Sequence, residues 1–266
     1  VSSVMQLARL GWLFLVLTFA GGAAAATLER HTWVVNGVTR EALVRVPDKI
    51  PSDGAPLVFA FHGHGGTMRQ AARSFPIHEK WAEAIVVYPQ GLPTAGQLTD
   101  PKGEKAGWQG RAGLEGDRDL RFFDVMLAGL TKNYTVDAKR IYATGHSNGG
   151  GFTYLLWAER GPVFAAMAPS SAVLGRGADR LTPKPVLHIG SPQDPLVKFA
   201  WQEKMIAHVL KLNGCGPFRP DTLGLTEYPS KAGHDVTVYL HDGGHRYPSD
   251  AAPELIVKFF QAHPAR

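Results

Sequence analysis

The chain has a single cysteine, Cys215, in 266 residues. No intrachain disulfide can form, nor a zinc site built on cysteine ligands, so stability has to come from an apolar core. Charge is sparse as well. Asp, Glu, Lys and Arg make up 19% of the chain, and 28 basic against 23 acidic residues leave a net charge of +5. No Lys/Arg cluster extends beyond pairs such as Lys139-Arg140, whereas nucleic-acid binding needs a basic stripe or patch; no nucleic-acid partner is expected. The apolar stretch near the N-terminus, Leu10 to Phe19, falls short of the roughly 20 residues that span a bilayer. Internal repeats and low-complexity segments are missing downstream of it.

That N-terminal stretch has a different use. Arg9, the apolar run and a small-residue segment ending at Ala26 reproduce the charged head, apolar middle and Ala-x-Ala exit of a secretory signal peptide. Residues 1–26 are expected to be removed near Ala24 to Ala26, with Met5 as a possible true start. A secreted or periplasmic protein without a stable membrane anchor would then consist of residues 27–266. With 44% hydrophobic residues, that length carries enough apolar material for one large core.

What remains reads as alternation. "HTWVVNGVTREALVRVP" is a hairpin around Asn36-Gly37, the preferred two-residue turn. "PLVFAFHG" and "AIVVYPQG" are continuous apolar runs of the buried-strand type. "RIYATG", "VFAAMAPSSA", "KPVLHIGS" and "DVTVYLHDGG" read as further strands. Between them, Phe123, Met126, Leu127 and Leu130 recur at helical spacing, and helices are also expected over Gly149 to Arg160, before Asn213-Gly214, and over "APELIVKFFQAHP". Strands alternating with helices predict an α/β fold, one domain with a mostly parallel central sheet flanked by helices. Gly91 to Asp117 breaks the rhythm. A glycine-rich loop of that length inside a compact domain is usually functional or disordered.

Chemistry concentrates in "ATGHSNGGGF". Gly145-His146-Ser147-Asn148-Gly149 is a G-x-S-x-G sequence between an expected strand and an expected helix, where the turn exposes the serine and glycines remove clashing side chains. A phosphate-binding loop would need a Lys-Ser/Thr pair that is absent here. Serine becomes nucleophilic only beside an imidazole, which in turn needs a carboxylate to fix its tautomer. In an α/β-hydrolase the chain order is Ser, acid, His, each after a strand. Asp194 follows "PVLHIG" and His245 follows "VTVYL", both at strand C-terminal ends where open α/β sheets gather functional groups. His241, Asp242, Asp221 and Asp235 are the weaker rivals, and His146 is expected to pack against the turn.

An oxyanion hole needs one N–H after the nucleophile, here Asn148, and one from the loop after an early strand. "FAFHGHGGTM" supplies that loop, with the N–H of His64 as donor and Gly63 or Gly65 as alternatives. His62 and His64 could instead be metal ligands, but no third ligand stands in register, so no metal or cofactor is expected. Trp108, in the long loop, either walls a substrate or pins its own segment; Tyr247 carries the same two readings.

Together "FHGHGGT", "DAKRIYATGHSNGG", "FAAMAPSSA", "PVLHIGSPQDPLV" and "GGHRYP" resemble the polyhydroxybutyrate depolymerase-type esterases, related to the feruloyl and acetylxylan esterases of carbohydrate esterase family one. The resemblance spans about Val44 to Pro264. It implies the α/β-hydrolase fold, no metal, and Ser147, Asp194 and His245 as the catalytic residues. It departs from the family at Tyr247, where a tryptophan is common, and at His64, where many members have a cysteine. The implied activity is hydrolysis of hydroxyalkanoate oligomers or feruloyl- and acetyl-type esters, small or oligomeric. A prolyl-oligopeptidase-like peptidase and a catalytically inactive binding protein are the alternatives from other classes. Nothing in the sequence fixes an oligomeric state.

Overall fold

Asn36 and Gly37, at φ 50° and 79°, close the hairpin between β1 (Glu29–Val35) and β2 (Val38–Arg45). Two consecutive left-handed residues give a turn whose twist matches that of the strands. The hairpin is one edge of a nine-stranded sheet in the computed structural model, which describes residues 27–96, 98–219 and 223–265. The expected leader, residues 1–26, and the rival carboxylate Asp221 lie outside the described residues.

The strands that follow are β3 (Ala55–Phe61), β4 (Ile85–Pro89), the two-residue β5 (Leu92–Pro93) and β6 (Ala106–Gly107), then β7 (Val136–His146), β8 (Ala166–Ser170), β9 (Val186–Gly190), β10 (Gly224–Tyr228) and β11 (Val236–Leu240). Across the sheet the order is β1-β2-β4-β3-β7-β8-β9-β11-β10, with β5 and β6 forming a separate ladder. From β4 to β11 every pairing is parallel; β1-β2, β2-β4 and β10-β11 are antiparallel. The sheet is therefore mostly parallel, as the alternation predicts.

Covering both faces explains the continuous apolar runs. Successive side chains of a strand point to opposite faces. On β3, Leu57, Phe59 and Phe61 enter one core while Val58 and Ala60 enter the other. The first core takes apolar side chains from α3 (Arg118–Asn133), α4 (Asn148–Arg160) and α5 (Phe199–Leu212). α1 (Met68–Ser74), α2 (Ile77–Lys80) and α6 (Ala252–Ala262) supply the second. Fully burying each such large apolar side chain contributes about 1.5–3 kcal/mol, which is how a chain without disulfides holds together.

Several features went beyond the sequence reading. β7 begins at Val136, four residues before Arg140, with its register against β3 shifting between Ala55 and Leu57. β10 is an additional edge strand with alternating exposure, and α1 and α2 are too short for a helical period to show.

The Gly91 to Asp117 segment is stitched down rather than loose. Gln109 lies at its centre, fully buried. Its N–H donates to Asp119 Oδ2 at 2.9 Å, and its side-chain amide donates to Asp117 Oδ1 at 2.9 Å while accepting from Asp119 N–H at 3.1 Å. The other Asp119 oxygen takes a 2.9 Å bond from the buried Arg40, whose guanidinium also sits 4.2 Å over the Phe122 ring. The backbone groups of the loop thus find partners inside the protein, as buried polar groups must.

Candidate active site

Strand β7 ends at His146 and α4 starts at Asn148, so Ser147 alone makes the turn, at φ 56° and ψ −120°. A side chain held in that sparsely populated region costs roughly 1–3 kcal/mol. The surrounding glycines show why the turn is so tight. A Cβ on Gly145 would lie 2.5 Å from Gly149 O, one on Gly149 would lie 2.5 Å from His62 O and nearer still to Phe61 O, and one on Gly150 would lie 2.6 Å from Ser170 O. Contacts under about 3 Å with backbone cannot be relieved by a side-chain rotation. Gly151 differs, its nearest neighbour being Val173 O at 3.6 Å.

The sheet order brings the three expected residues together. β9 and β11 are adjacent, with Leu240 paired to Gly190, and the loops beyond them carry Asp194 and His245 back toward the end of β7. The Ser147 hydroxyl lies 2.8 Å from His245 Nε2, and His245 Nδ1 is 2.8 Å from Asp194 Oδ2 and 3.0 Å from Oδ1. With Nδ1 donating to the carboxylate, Nε2 is free to accept the serine proton. Asp194 is buried, yet its carboxylate is well supplied with donors. Oδ1 accepts from the N–H groups of Leu196 and Val197, each at 2.9 Å, and Oδ2 from Gln202 Nε2 at 3.1 Å. Ser191 Oγ joins the two loops by accepting from Gly244 N–H at 3.1 Å.

His146 packs against the turn as expected. Its Nε2 donates to His245 O at 2.9 Å, its Nδ1 accepts from the Ser170 hydroxyl at 3.1 Å, and its ring lies 5.0 Å from that of His245. His241, the rival imidazole, accepts the Gly243 N–H on Nδ1 at 3.1 Å and stays buried. Asp235 accepts the Ser230 N–H at 2.7 Å, away from the site.

On the opposite side, the turn after β3 lies against the serine: a Cβ on Gly63 would stand 3.6 Å from Ser147 Cβ. Of the alternative donors there, Gly65 N–H is used by Ala106 O at 2.7 Å. The N–H groups of Asn148 and His64 have no acceptor among the described residues. The Asn148 side chain clamps the long loop, its Oδ1 accepting Trp108 N–H at 2.7 Å and its Nδ2 donating to Trp108 O at 3.0 Å. His64 Nε2 donates to Asp100 at 3.1 Å, while its Nδ1 is buried without a partner. Both His62 ring nitrogens are engaged, Nδ1 donating to Gly63 O at 2.7 Å and Nε2 accepting Gly91 N–H at 2.9 Å. Among the described residues no group of three or more His, Cys, Asp or Glu could hold a metal ion.

The two aromatics with two readings each pack as follows. Trp108 is 1% exposed: its ring stacks on Phe152, meets Phe61 edge-on, and donates Nε1–H to His62 O at 2.9 Å. It pins the loop and also contributes to the lining of the cleft. Tyr247 packs on Phe75 and His146 with its hydroxyl buried, and it is not among the residues lining the cleft. Further walls come from residues the sequence did not single out. The cleft above Ser147 has a volume of about 1110 Å³, with Trp201 and Leu98, 40% and 53% exposed, on its rim. Nothing distinguishes Trp201 in sequence from the core tryptophans. Gln202 did leave a trace, being polar on the buried face of α5 beside Met205, Ile206 and Val209.

Three histidines near or behind the site are held neutral. Burial lowers His146 to about 3, helped by the nearby charge of His245, and burial lowers His62 and His188 each to about 4. Below about pH 6.5 the unfolded chain binds protons at these positions that the folded chain refuses. Stability is therefore complete above pH 6.5 and lost as pH falls toward 4, by up to about 1.4 kcal/mol per pH unit for each histidine. Urea unfolding should give a free energy at least ~2 kcal/mol lower at about pH 5 than at pH 7. A flat profile over that interval would contradict the assignment of neutral buried imidazoles.

No family model matches the sequence. Probable feruloyl esterase C of Aspergillus clavatus is 28% identical over 257 residues, covering 88% of this chain and 89% of that protein. Feruloyl esterase C of Emericella nidulans is 27% identical over 267 residues, covering 91% and 92%. Among solved structures, a thermostable esterase superposes with a TM-score of 0.62 at 18% identity, over 89% of this chain and 63% of that one. Acetyl xylan esterase from Aspergillus awamori superposes at 0.61 and 14% identity, over 88% and 99%. The fold is a single α/β-hydrolase domain. No helix among the described residues is long and apolar enough to cross a membrane.

Proposed function

We propose that this chain is an exported serine carboxylesterase working through an acyl-enzyme on Ser147, His245 and Asp194. The observation that carries the proposal is the unbroken relay at a strained turn: a serine at φ 56°, its hydroxyl 2.8 Å from an imidazole that is itself 2.8 Å from a buried carboxylate. Ser147 Oγ attacks the ester carbonyl as its proton passes to His245 Nε2. The N–H groups of Asn148 and His64 receive the oxyanion, and one such donor typically contributes about a hundred- to a thousandfold in rate. The imidazolium, steadied by Asp194, then returns its proton to the leaving alcohol. Water enters by the same route and frees the acid.

Similarity to feruloyl esterases favours feruloyl- and acetyl-type esters, and the exposed Trp201 suits an aromatic acyl group or a sugar ring. The motifs shared with polyhydroxybutyrate depolymerase-type esterases add 3-hydroxyalkanoate oligomers as the second substrate class. The test is paired hydrolysis of methyl ferulate and the soluble 3-hydroxybutyrate trimer, with Ser147→Ala as blank. Turnover of one that disappears in the variant selects the substrate class. If neither these substrates nor an O-acetylated sugar shows serine-dependent turnover, the esterase reading is overturned.

A further inference from the structure

The cleft carries charge of one sign. Lys105, Arg111 and Arg176 line it, and no Asp or Glu does among the described residues. Lys105 and Arg111 come from the second half of the Gly91 to Asp117 segment, and Arg176 from beyond β8. None of the three side chains makes an ion pair or a side-chain hydrogen bond among the described residues. Three acids of the same loop are committed elsewhere, Asp100 to His64 and to the Lys105 N–H, Glu115 to Arg118, and Asp117 to Gln109, while the exposed Glu104 beside Lys105 does not line the cleft.

The backbones of Lys105 and Arg111, by contrast, are held. Lys105 N–H donates to Asp100 at 2.8 Å and its carbonyl accepts from Thr94 N–H at 3.0 Å, while Arg111 O accepts from Gln109 Nε2 at 3.0 Å. The lysine stem also runs beside the turn that holds the candidate oxyanion donor, since a Cβ on Gly65 would meet Lys105 Cδ at 3.4 Å. Anchored backbones, unpaired cationic ends and a concave low-dielectric wall focus a positive potential on whatever occupies the cleft. Over the whole chain, 28 basic residues face 23 acidic ones, so three to none inside one cleft is a local bias rather than the average surface.

We infer that the substrate carries an ionised carboxylate in addition to the ester that is cleaved, and that Lys105, Arg111 and Arg176 bind it. This deepens the esterase reading and rests on it. Two sources share the chemistry: the free-acid end of a hydroxyalkanoate oligomer, and a uronic acid in an esterified saccharide. Guanidinium groups suit a planar carboxylate because their N–H forks match its two oxygens.

Two matched pairs test it. The first is the linear 3-hydroxybutyrate trimer as free acid and as its C-terminal carboxamide; the second is O-acetylated galacturonic acid and O-acetylated galactose. The charged member of at least one pair should show about tenfold higher kcat/KM at low salt, through KM. Which pair responds identifies the source. The preference should collapse between about 0.01 M and 1 M salt, as the screening length shrinks from ~30 Å to ~3 Å. It should also fall to near unity in the triple variant Lys105→Gln, Arg111→Gln, Arg176→Gln. Should that variant not fold, the salt titration of the unmodified protein decides alone. Turnover of all four esters with no preference in either pair overturns the inference and leaves the esterase intact. No turnover of any of the four overturns the inference, and overturns the esterase reading as well where methyl ferulate is also left uncleaved.

Discussion

Replacing Ser147 by alanine is expected to lower kcat by about 10⁴ to 10⁶-fold, the range typical of removing a nucleophile that works as a unit with its base. The same substitution should not harm folding. Ser147 sits at φ 56° and ψ −120°, a conformation that disfavours any Cβ, so Ser147→Gly should be about 1 kcal/mol more stable than the parent while equally inactive. Activity lost and stability gained at one position is the signature of strain maintained for function. Initial rates and urea melts on the two variants measure both halves. Retained turnover in Ser147→Ala would remove the covalent mechanism, and a destabilised Ser147→Gly would remove the strain argument.

The second large effect lies two residues away and concerns the frame instead of the reacting atoms. Gly149→Ala would place a methyl 2.5 Å from the His62 carbonyl oxygen, with Phe61 O closer still. Both obstacles are backbone of the segment that leaves β3, so relief requires prising α4 from the sheet. The expected cost is about 3 kcal/mol or more, at the upper end of overpacking, or roughly 6–12 °C in melting temperature. Gly151→Ala is the internal control. Its new methyl meets nothing closer than Val173 O at 3.6 Å, and alanine gains up to about 1 kcal/mol over glycine within a helix. Thermal melts should therefore move in opposite directions for two glycines with a single residue between them. Equal melting temperatures would show that the turn is looser than these distances require.

Much of this architecture was legible because both faces of the sheet are covered. "PLVFAFHG" and "AIVVYPQG" have no polar face to hide, and Asn36-Gly37 admits few structures other than a tight hairpin. The three polar residues at the strand ends were legible for a related reason. In a parallel sheet, chain order and the C-terminal ends of strands determine which loops converge, so the G-x-S-x-G turn together with that order made Ser147, Asp194 and His245 the candidates. Exposure was not legible. Trp108, Trp201 and Tyr247 are alike in sequence as aromatic residues near the site, yet Trp108 is 1% exposed and Trp201 40%, because the difference is made by which segment happens to pass over each ring. β10 escaped notice because a half-exposed edge strand lacks the continuous apolar run that revealed its neighbours.

The Asn148–Trp108 pair has a consequence for how such a protein can diversify. The candidate relay is carried at the ends of β7, β9 and β11, whereas one wall of the cleft is a single contiguous insertion between β4 and α3. The insertion is fastened through the main chain at Trp108, by Asn148, and through the Gln109 side chain, by Asp117 and Asp119. The stretch between the two strands of the ladder of β5 with β6, 94–105, carries none of the relay groups, so its exposed positions can vary in size and charge without altering the distances in the relay. Descendants of such a scaffold can exchange one clientele for another by rewriting this one stretch, keeping the engine while replacing the doorway.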